Sequence, residues 1–423
     1  MHHGPQYGYR WTAFIPKLKW GAFWPVFFVN LVPESEPRAF LRLEWGTIQW
    51  NAVNNSREGL NGAQIRGSHL WIHPIVRSMR INLGRDKSPF LLPHGVKVLI
   101  RETPQVKGIL KMITFLSGGT ETAALIQGVR QILYDREIAV VVNTAEDLQV
   151  SGGHFAPDLD TAIFLFAGIL DTGRWWGIKG DTYTTHTYLP KVGGGETFPI
   201  GDRARAVQIA RAGLLSRGLS LTEAVEAQCR SLSIGAAILP VTDGDAATFI
   251  DTGTELLPLF DYWMTADPAT EVREVLRAAP EPPAVTEAVR AAIEASDAVV
   301  IGPASPVRCI LPILDCDGMR DLLRDKFVVA VSPFSGDACP NPKDAALMCA
   351  AGEAATAPAV SRLYGDLVDL FVQDVNDPDE VKGSLRLETR LLHRRQAESL
   401  AWDIMAVIRQ AIYPSNNTLS VLR

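Results

Sequence analysis

The sequence lacks any uninterrupted apolar run of the ~20 residues that a bilayer-spanning helix needs. Its most apolar early stretch, Trp20 to Val32, is short and holds Pro25. No secretory signal is evident either. Cysteine is sparse and scattered: Cys229, Cys309, Cys316, Cys339 and Cys349 form no C-x-x-C pair. An odd, dispersed set argues against a disulfide framework and suits a reducing, cytoplasmic setting. It also lacks the tight clustering of a zinc centre. Positive charge is not in excess, with 41 Lys and Arg against 47 Asp and Glu and a formal net charge of -6. A nucleic-acid groove normally shows as a basic domain, so no nucleic-acid partner is expected, and no membrane partner.

What remains is an ordinary globular composition, 47 % hydrophobic and 21 % charged over 423 residues. That length accommodates roughly two to three domains. Residues 1–111 stand apart. They carry Trp11, Trp20, Trp24, Trp45, Trp50 and Trp71, contain no cysteine, and offer only fragments of pattern such as Gly95 to Ile100. Two readings compete: an N-terminal domain of unknown role, or a start codon assigned too far upstream, with Met112 as the true first residue. The second is favoured because α/β domains commonly open on their first strand.

From residue 112 to 423 the pattern is α/β. Met112 to Leu116 reads as a buried strand, Ser117-Gly118-Gly119-Thr120-Glu121-Thr122 as a glycine turn, and 122–133 as an amphipathic helix with Leu125, Val129 and Ile132 on one face. Ile138 to Val142 is an apolar run typical of a strand covered on both faces. A glycine turn between a strand and a helix presents bare N–H groups where a phosphate can bind. Asp147 follows the second strand, on the ligand-binding edge of such a sheet. Asp158 and Asp160 lie near the start of an apolar helix, Ala162 to Leu170. They could cap that helix. Together with Asp147 they could instead hold a hard cation such as Mg²⁺, which takes one or two carboxylates plus substrate phosphates.

Trp175-Trp176 reads as a pocket wall or as core packing, and His186 has no evident partner. Asp202 is the natural cap of a helix over 203–216, and Ser220 with Glu223 forms a capping box for 221–231. Residues 265–286, rich in Pro, Ala and Glu, suggest a connection and a soft subdomain boundary. Glu287 to Ala295 should be helical. Ala298 to Ile301 and Val328 to Val331 are buried strands ending in Gly302-Pro303-Ala304-Ser305-Pro306 and Ser332-Pro333. Leu400, Ile404, Val407 and Ile408 make a helical stripe for core or dimer packing. The fold class is α/β: a Rossmann-like, doubly wound, mostly parallel sheet with a smaller helical subdomain.

With these motifs in view, the chain resembles the 2-phospho-L-lactate transferase family from Met112 to roughly Val375. The resemblance rests on Asn143 to Asp147, Pro157 to Thr161, Trp175 to Ile178, Gly201-Asp202-Arg203, Gly302-Pro303 with Pro306, and Ser332-Pro333. It implies transfer of a phospholactyl (or phosphoenolpyruvyl-type) group from a guanosine diphosphate-linked donor to the deazaflavin precursor Fo, releasing GMP, in coenzyme F-420 biosynthesis. It implies Mg²⁺ held by Asp147, Asp158 and Asp160. Gly118, Gly119, Thr120, Gly302 and Pro303 would hold the donor nucleotide, Asp160 and Trp176 would meet Fo, and Asp158 and Asp160 would be catalytic. It also implies a homodimer.

The chain departs from the family pattern mostly on the nucleotide side. Glu121 stands where a glycine is usual and Ala124 where a basic residue is usual. Pro199, Ala304, Ser305 and the stretch Phe334 to Cys339 also differ. The resemblance therefore implies a changed donor or a reduced activity. Its alternative is a non-catalytic nucleotide-sugar-binding regulator of the gluconeogenesis-factor type. A nicotinamide oxidoreductase is disfavoured, because the turn lacks G-x-G-x-x-G.

Overall fold

The structure is a computed structural model that describes residues 110–335 and 341–413, together with the backbone of three short strands nearer the N-terminus. The chain divides into two compact units, Met1–Pro104 and Gln105–Arg423. In the first, Pro25–Asn30, Arg42–Thr47 and His69–Trp71 form an antiparallel sheet in that order. The fragment expected at 95–100, and residues 336–340 in and beyond the altered stretch after Ser332-Pro333, lie outside the described residues.

The second unit is built on seven strands: β1 (Ile113–Ser117), β2 (Ile138–Val142), β3 (Ala237–Pro240), β4 (Ala298–Ile301), β5 (Phe327–Val331), β6 (Leu370–Asp374) and β7 (Leu385–Leu387). They pair in parallel in the order β7-β6-β5-β4-β1-β2-β3. The chain winds from β1 through β2 to β3, then returns past β1 to begin β4. That reversal places a topological switch point between β1 and β4, where open α/β sheets bind their ligands. The central strands alternate between two cores. Phe115, Val140 and Val300 face one; Leu116, Val141 and Val299 face the other. Both faces are covered, which is why these strands read as continuous Val/Ile runs.

The principal helices are α1 (Gly119–Val129), α2 (Pro157–Phe166), α3 (Asp202–Leu215), α4 (Leu221–Ser231), α5 (Glu287–Ala295), α6 (Pro342–Ala350) and α7 (Arg394–Ile412). Leu400, Ile404 and Ile408 of α7 are buried with Leu125, Ile126 and Val129 of α1, so the C-terminal stripe packs within its own chain. The two helices meet where Gly128 leaves no room for a side chain against the backbone of Ala397. Among the described residues no helix is long and apolar enough to cross a membrane.

Several boundaries differ from the sequence expectation, each for a local reason. Helix α1 begins at Gly119, because the turn itself is pinned from outside by a carboxylate. Helix α2 begins at Pro157, whose fixed φ and missing N–H suit a first helical position. Neither Asp158 nor Asp160 caps it; the cap position is Ala156, with no side-chain bond. Asp202 is the first residue of α3 rather than its cap. Its carboxylate accepts from Thr182 Oγ1 (2.6 Å) and from the N–H groups of Thr184 and Thr185 (2.9 Å each), so it ties down the preceding loop. The capping box of α4 forms as read, with Ser220 Oγ accepting from Glu223 N at 3.2 Å and the reverse bond at 2.8 Å. Within 265–286 a strand, Glu274–Arg277, pairs with Thr248–Asp251 in a small antiparallel sheet, and no unit boundary falls there.

Candidate active site

The glycine turn lies at the switch point. Gly119 has φ +66°, a conformation L-residues rarely adopt. A Cβ at Gly118 would come within 2.5 Å of Cys309 Cβ, and one at Gly302 would collide with the side chain of Thr122. Only glycine lets the loops after β1 and β4 press together in this way. The predicted donor residues Gly118, Gly119, Thr120, Gly302 and Pro303 are therefore brought to one edge. The N–H groups of the first turn of α1 have no intrahelical acceptor and remain for a ligand, with one exception. Gly119 N–H donates to Asp158 Oδ1 at 2.8 Å, and Asn143 Nδ2 donates to Asp158 Oδ2 at 3.0 Å. Asp158 thus locks the turn to the end of β2.

Two residues further along α2, Asp160 faces a different network. It accepts from Arg211 Nη2 at 2.6 Å and Gln208 Nε2 at 2.9 Å. Arg211 is fully buried and also donates to His154 O (2.8 Å) and Gln228 Oε1 (3.2 Å). Asp147 lies beside this network, its Oδ2 3.8 Å from His154 Nε2. Burial, together with Arg211, holds the His154 imidazole down to about 4, so at neutral pH it lends Asp147 no positive charge.

Both oxygens of Asp147 are buried without a hydrogen-bond partner among the described residues. Burial pushes its carboxyl well above the usual range; Arg211 offsets this in part, while Asp160, Asp158 and Glu146 reinforce it. An orphaned carboxylate of this kind has the lone pairs a hard cation takes. The three aspartates do not converge as one set of ligand atoms. Among the described residues the trio whose ligand atoms lie within 4.8 Å of one another is Glu146, Asp158 and Cys309.

On the Asp160 side, Trp176 meets Phe155, Phe198 and Phe260 with ring centroids 6.1, 6.2 and 6.3 Å away. Phe155 and Trp176, with Asp160, Ile178, Asp181 and Tyr183, bound an apolar cavity of ≈ 20 Å³, room for little more than a water. Trp176 is thus a pocket wall. The segment Thr184–Val192 follows Tyr183 of the cavity wall and is tethered by Glu196, whose buried side chain accepts from Arg205 Nη1 and Nη2 (2.5 and 2.8 Å) and pairs with His186 Nδ1 at 2.9 Å. His186 therefore has a partner that lay ten residues away in sequence. Although burial opposes it, hydrogen bonds from Arg205, Ser151 and His186 hold the Glu196 carboxyl down to about 2. Glu196→Gln should lower the melting temperature at neutral pH. A depressed carboxyl stabilises only above its unfolded value, so the deficit should shrink as pH falls from 4.5 toward 2. A deficit that stays constant across that range in thermal melts would contradict the tether.

On the other side of the turn, a cavity of ≈ 310 Å³ is lined by Glu121, Pro303, Ser332, Ser335, Thr389 and Leu392, among others. Its floor joins the glycine turn to the ends of β4 and β5. Sequence reasoning missed Arg308, which reaches the turn from the loop after β4. The signal was a single charged residue inside the apolar run Pro306 to Leu314. Its Nε lies 3.3 Å from Glu146 Oε1, and its guanidinium carbon lies 3.9 Å from the ring centroid of Trp263.

A doubly wound sheet with a glycine turn at its switch point, buried carboxylates beside it and a cavity on each side is the architecture of an α/β protein with one ligand-binding edge. The family model for 2-phospho-L-lactate transferase CofD matches residues 113–412, and the chain belongs to that family. It is 45 % identical over 299 residues to the 2-phospho-L-lactate transferase of Methanocorpusculum labreanum, covering 70 % of this chain and 98 % of that one. To the enzyme of the same name from Methanospirillum hungatei it is 42 % identical, covering 70 % and 99 %. Among solved structures it resembles a UPF0052 family member from Bacillus halodurans, with a TM-score of 0.44 and 13 % identity over 70 % of this chain and 99 % of that one.

Proposed function

We propose that this protein is a 2-phospho-L-lactate transferase that moves a phospholactyl (or phosphoenolpyruvyl-type) group from a guanosine diphosphate-linked donor to a hydroxyl of the deazaflavin precursor Fo. The observation that carries the reading is that α2 joins the glycine turn to the aromatic cavity. Asp158 holds the phosphate turn on one side, and Asp160 lines the aromatic cavity on the other. The acceptor hydroxyl attacks the phosphorus that bears the lactyl group. A new P–O bond forms, the bond to the second phosphate breaks, and GMP leaves with the electron pair.

The turn's N–H groups and the N-terminus of α1 stabilise the charge that develops on the leaving phosphate. Both oxygens of Asp160 already accept from Arg211 and Gln208, which fix the carboxylate in place; it orients the attacking hydroxyl through a remaining lone pair. Of the three aspartates, Asp147 fits Mg²⁺, because its two oxygens are buried with no partner among the described residues, whereas those of Asp158 and Asp160 are already engaged in hydrogen bonds. When bound, the ion supplies positive charge to the donor phosphates. The ≈ 310 Å³ cavity suits the nucleoside, and the aromatic cavity opens to stack the flat acceptor ring. A non-catalytic regulator would leave the pairing of phosphate turn, orphaned carboxylate and closed aromatic pocket without a use.

The test is the transfer reaction with donor, Fo and Mg²⁺, read by mass spectrometry. GMP and phospholactyl-Fo should form in equal amounts. Trp176→Ala should weaken Fo binding by about 3- to 10-fold, the value of one aromatic pair. Absence of both GMP and any Fo-induced change in tryptophan fluorescence would end the reading.

A further inference from the structure

The glycine turn carries no basic side chain of its own: Ala124, where one would be useful, is buried against the core. A diphosphate held only by N–H groups beside Glu121 would face an unbalanced negative charge. The fold brings a cation to that point from elsewhere. Arg308 Nη2 lies 3.4 Å from where a Cβ on Gly119 would stand, and Glu121 Oε2 lies 3.3 Å from the same point. The two residues flank the bare Cα of Gly119. They differ in freedom. Glu121 is exposed on α1 and can swing into solvent. Arg308 is only 9 % exposed, stacked on Trp263 and facing Glu146.

Its Nε is buried without an aligned hydrogen bond, so Glu146 at 3.3 Å contributes charge but not a saturated contact. A guanidinium has five N–H donors in a rigid fork. Glu146 sits at one edge of the guanidinium and Trp263 under its face, Asp158 and Asp344 add negative charge nearby, and Nη2 is the donor that lies toward the turn. Such a group is oriented before the ligand arrives, which is the arrangement that favours anion recognition.

We propose that Arg308 is the cation that recognises the donor's diphosphate, supplied from the loop after β4 instead of from the turn, and that Glu121 is the anion that yields when the ligand binds. The assignment deepens the donor reading above and rests on it for the nucleoside, but not for the diphosphate itself.

Calorimetry with GDP, guanosine and inorganic pyrophosphate separates the two. Arg308→Gln should weaken GDP and pyrophosphate about 10- to 100-fold, the range for a lost charge-assisted hydrogen bond, and leave guanosine unchanged. Arg308→Lys should recover part of the loss, and Glu121→Gln should tighten both phosphate ligands. Because Arg308→Gln strands Glu146, the Arg308→Gln/Glu146→Gln double variant serves as the folding control. It should melt like the parent and still bind pyrophosphate weakly. Parental pyrophosphate affinity in that folded double variant would overturn the assignment. Parental protein that binds pyrophosphate through Arg308 but not GDP would uphold it while refuting a guanosine-linked donor.

Discussion

Asp147→Asn is expected to reduce the transfer rate by about a hundredfold or more while leaving the melting temperature at or above that of the parent. The two effects have one origin. The Asp147 carboxylate is buried, accepts no hydrogen bond among the described residues, and lies near three other acids. Burying a charge without partners opposes folding. Such an arrangement persists where the charge is needed for chemistry. The isosteric amide keeps the shape, removes the repulsion from Asp160, Asp158 and Glu146, and would remove a ligand of the proposed cation. Thermal melts and single-turnover rates on the same preparation decide the matter. A variant that melts well below the parent, or that transfers at the parental rate, would show that Asp147 serves the fold and not the reaction.

Arg211→Ala should act in the opposite way, as the substitution most damaging to stability. Arg211 is fully buried, and four of the site's polar groups bond to it: Asp160, Gln228, and the ring and carbonyl of His154. Removing one partner of a buried ion pair leaves the other charge uncompensated, at about 3–5 kcal/mol. For a domain of this size that lowers the melting temperature by on the order of 10 °C. The diagnostic is the cycle with Asp160→Ala. The double variant should be more stable than Arg211→Ala alone, because the stranded carboxylate is gone. Strictly additive losses would mean that the 2.6 Å contact contributes nothing to the fold.

The sheet was largely readable in advance because its signal is local. Strands buried on both faces must be apolar throughout, and β2 and β4 and helix α5 fall where their runs predict. β6 and β7 escaped notice. β6 ends in the polar pair Gln373 and Asp374, and β7 is a three-residue edge strand with an exposed centre at Arg386. In the site, the glycine turn and the three aspartates could be placed by spacing, and their edge of the sheet by topology. Their bonds could not. Asp158 and Asp202 resemble helix caps in sequence, yet each bonds to a chain segment many residues away. His186 and Glu196 find each other only once the intervening glycines fold back. Arg308 lies far from the turn in sequence, and only the adjacency of β1 and β4 brings it there.

Helix α2 places Asp158 and Asp160 two positions apart, about 200° around its axis. One grips the glycine turn and the other borders the aromatic cavity, so a single helix serves both sides of the site and, on the proposed function, would separate donor from acceptor. The residues that build the two faces are almost entirely separate. Glu121, Ala124, Arg308 and the loop after β4 belong to one; Arg211, Gln208, Trp176 and Glu196 belong to the other. Changes accumulated on the first side leave the second side's bonds untouched. On the proposed function the architecture is modular in an evolutionary sense: a lineage could exchange its donor while inheriting its acceptor, and substitutions gathered around this turn are the trace such an exchange would leave.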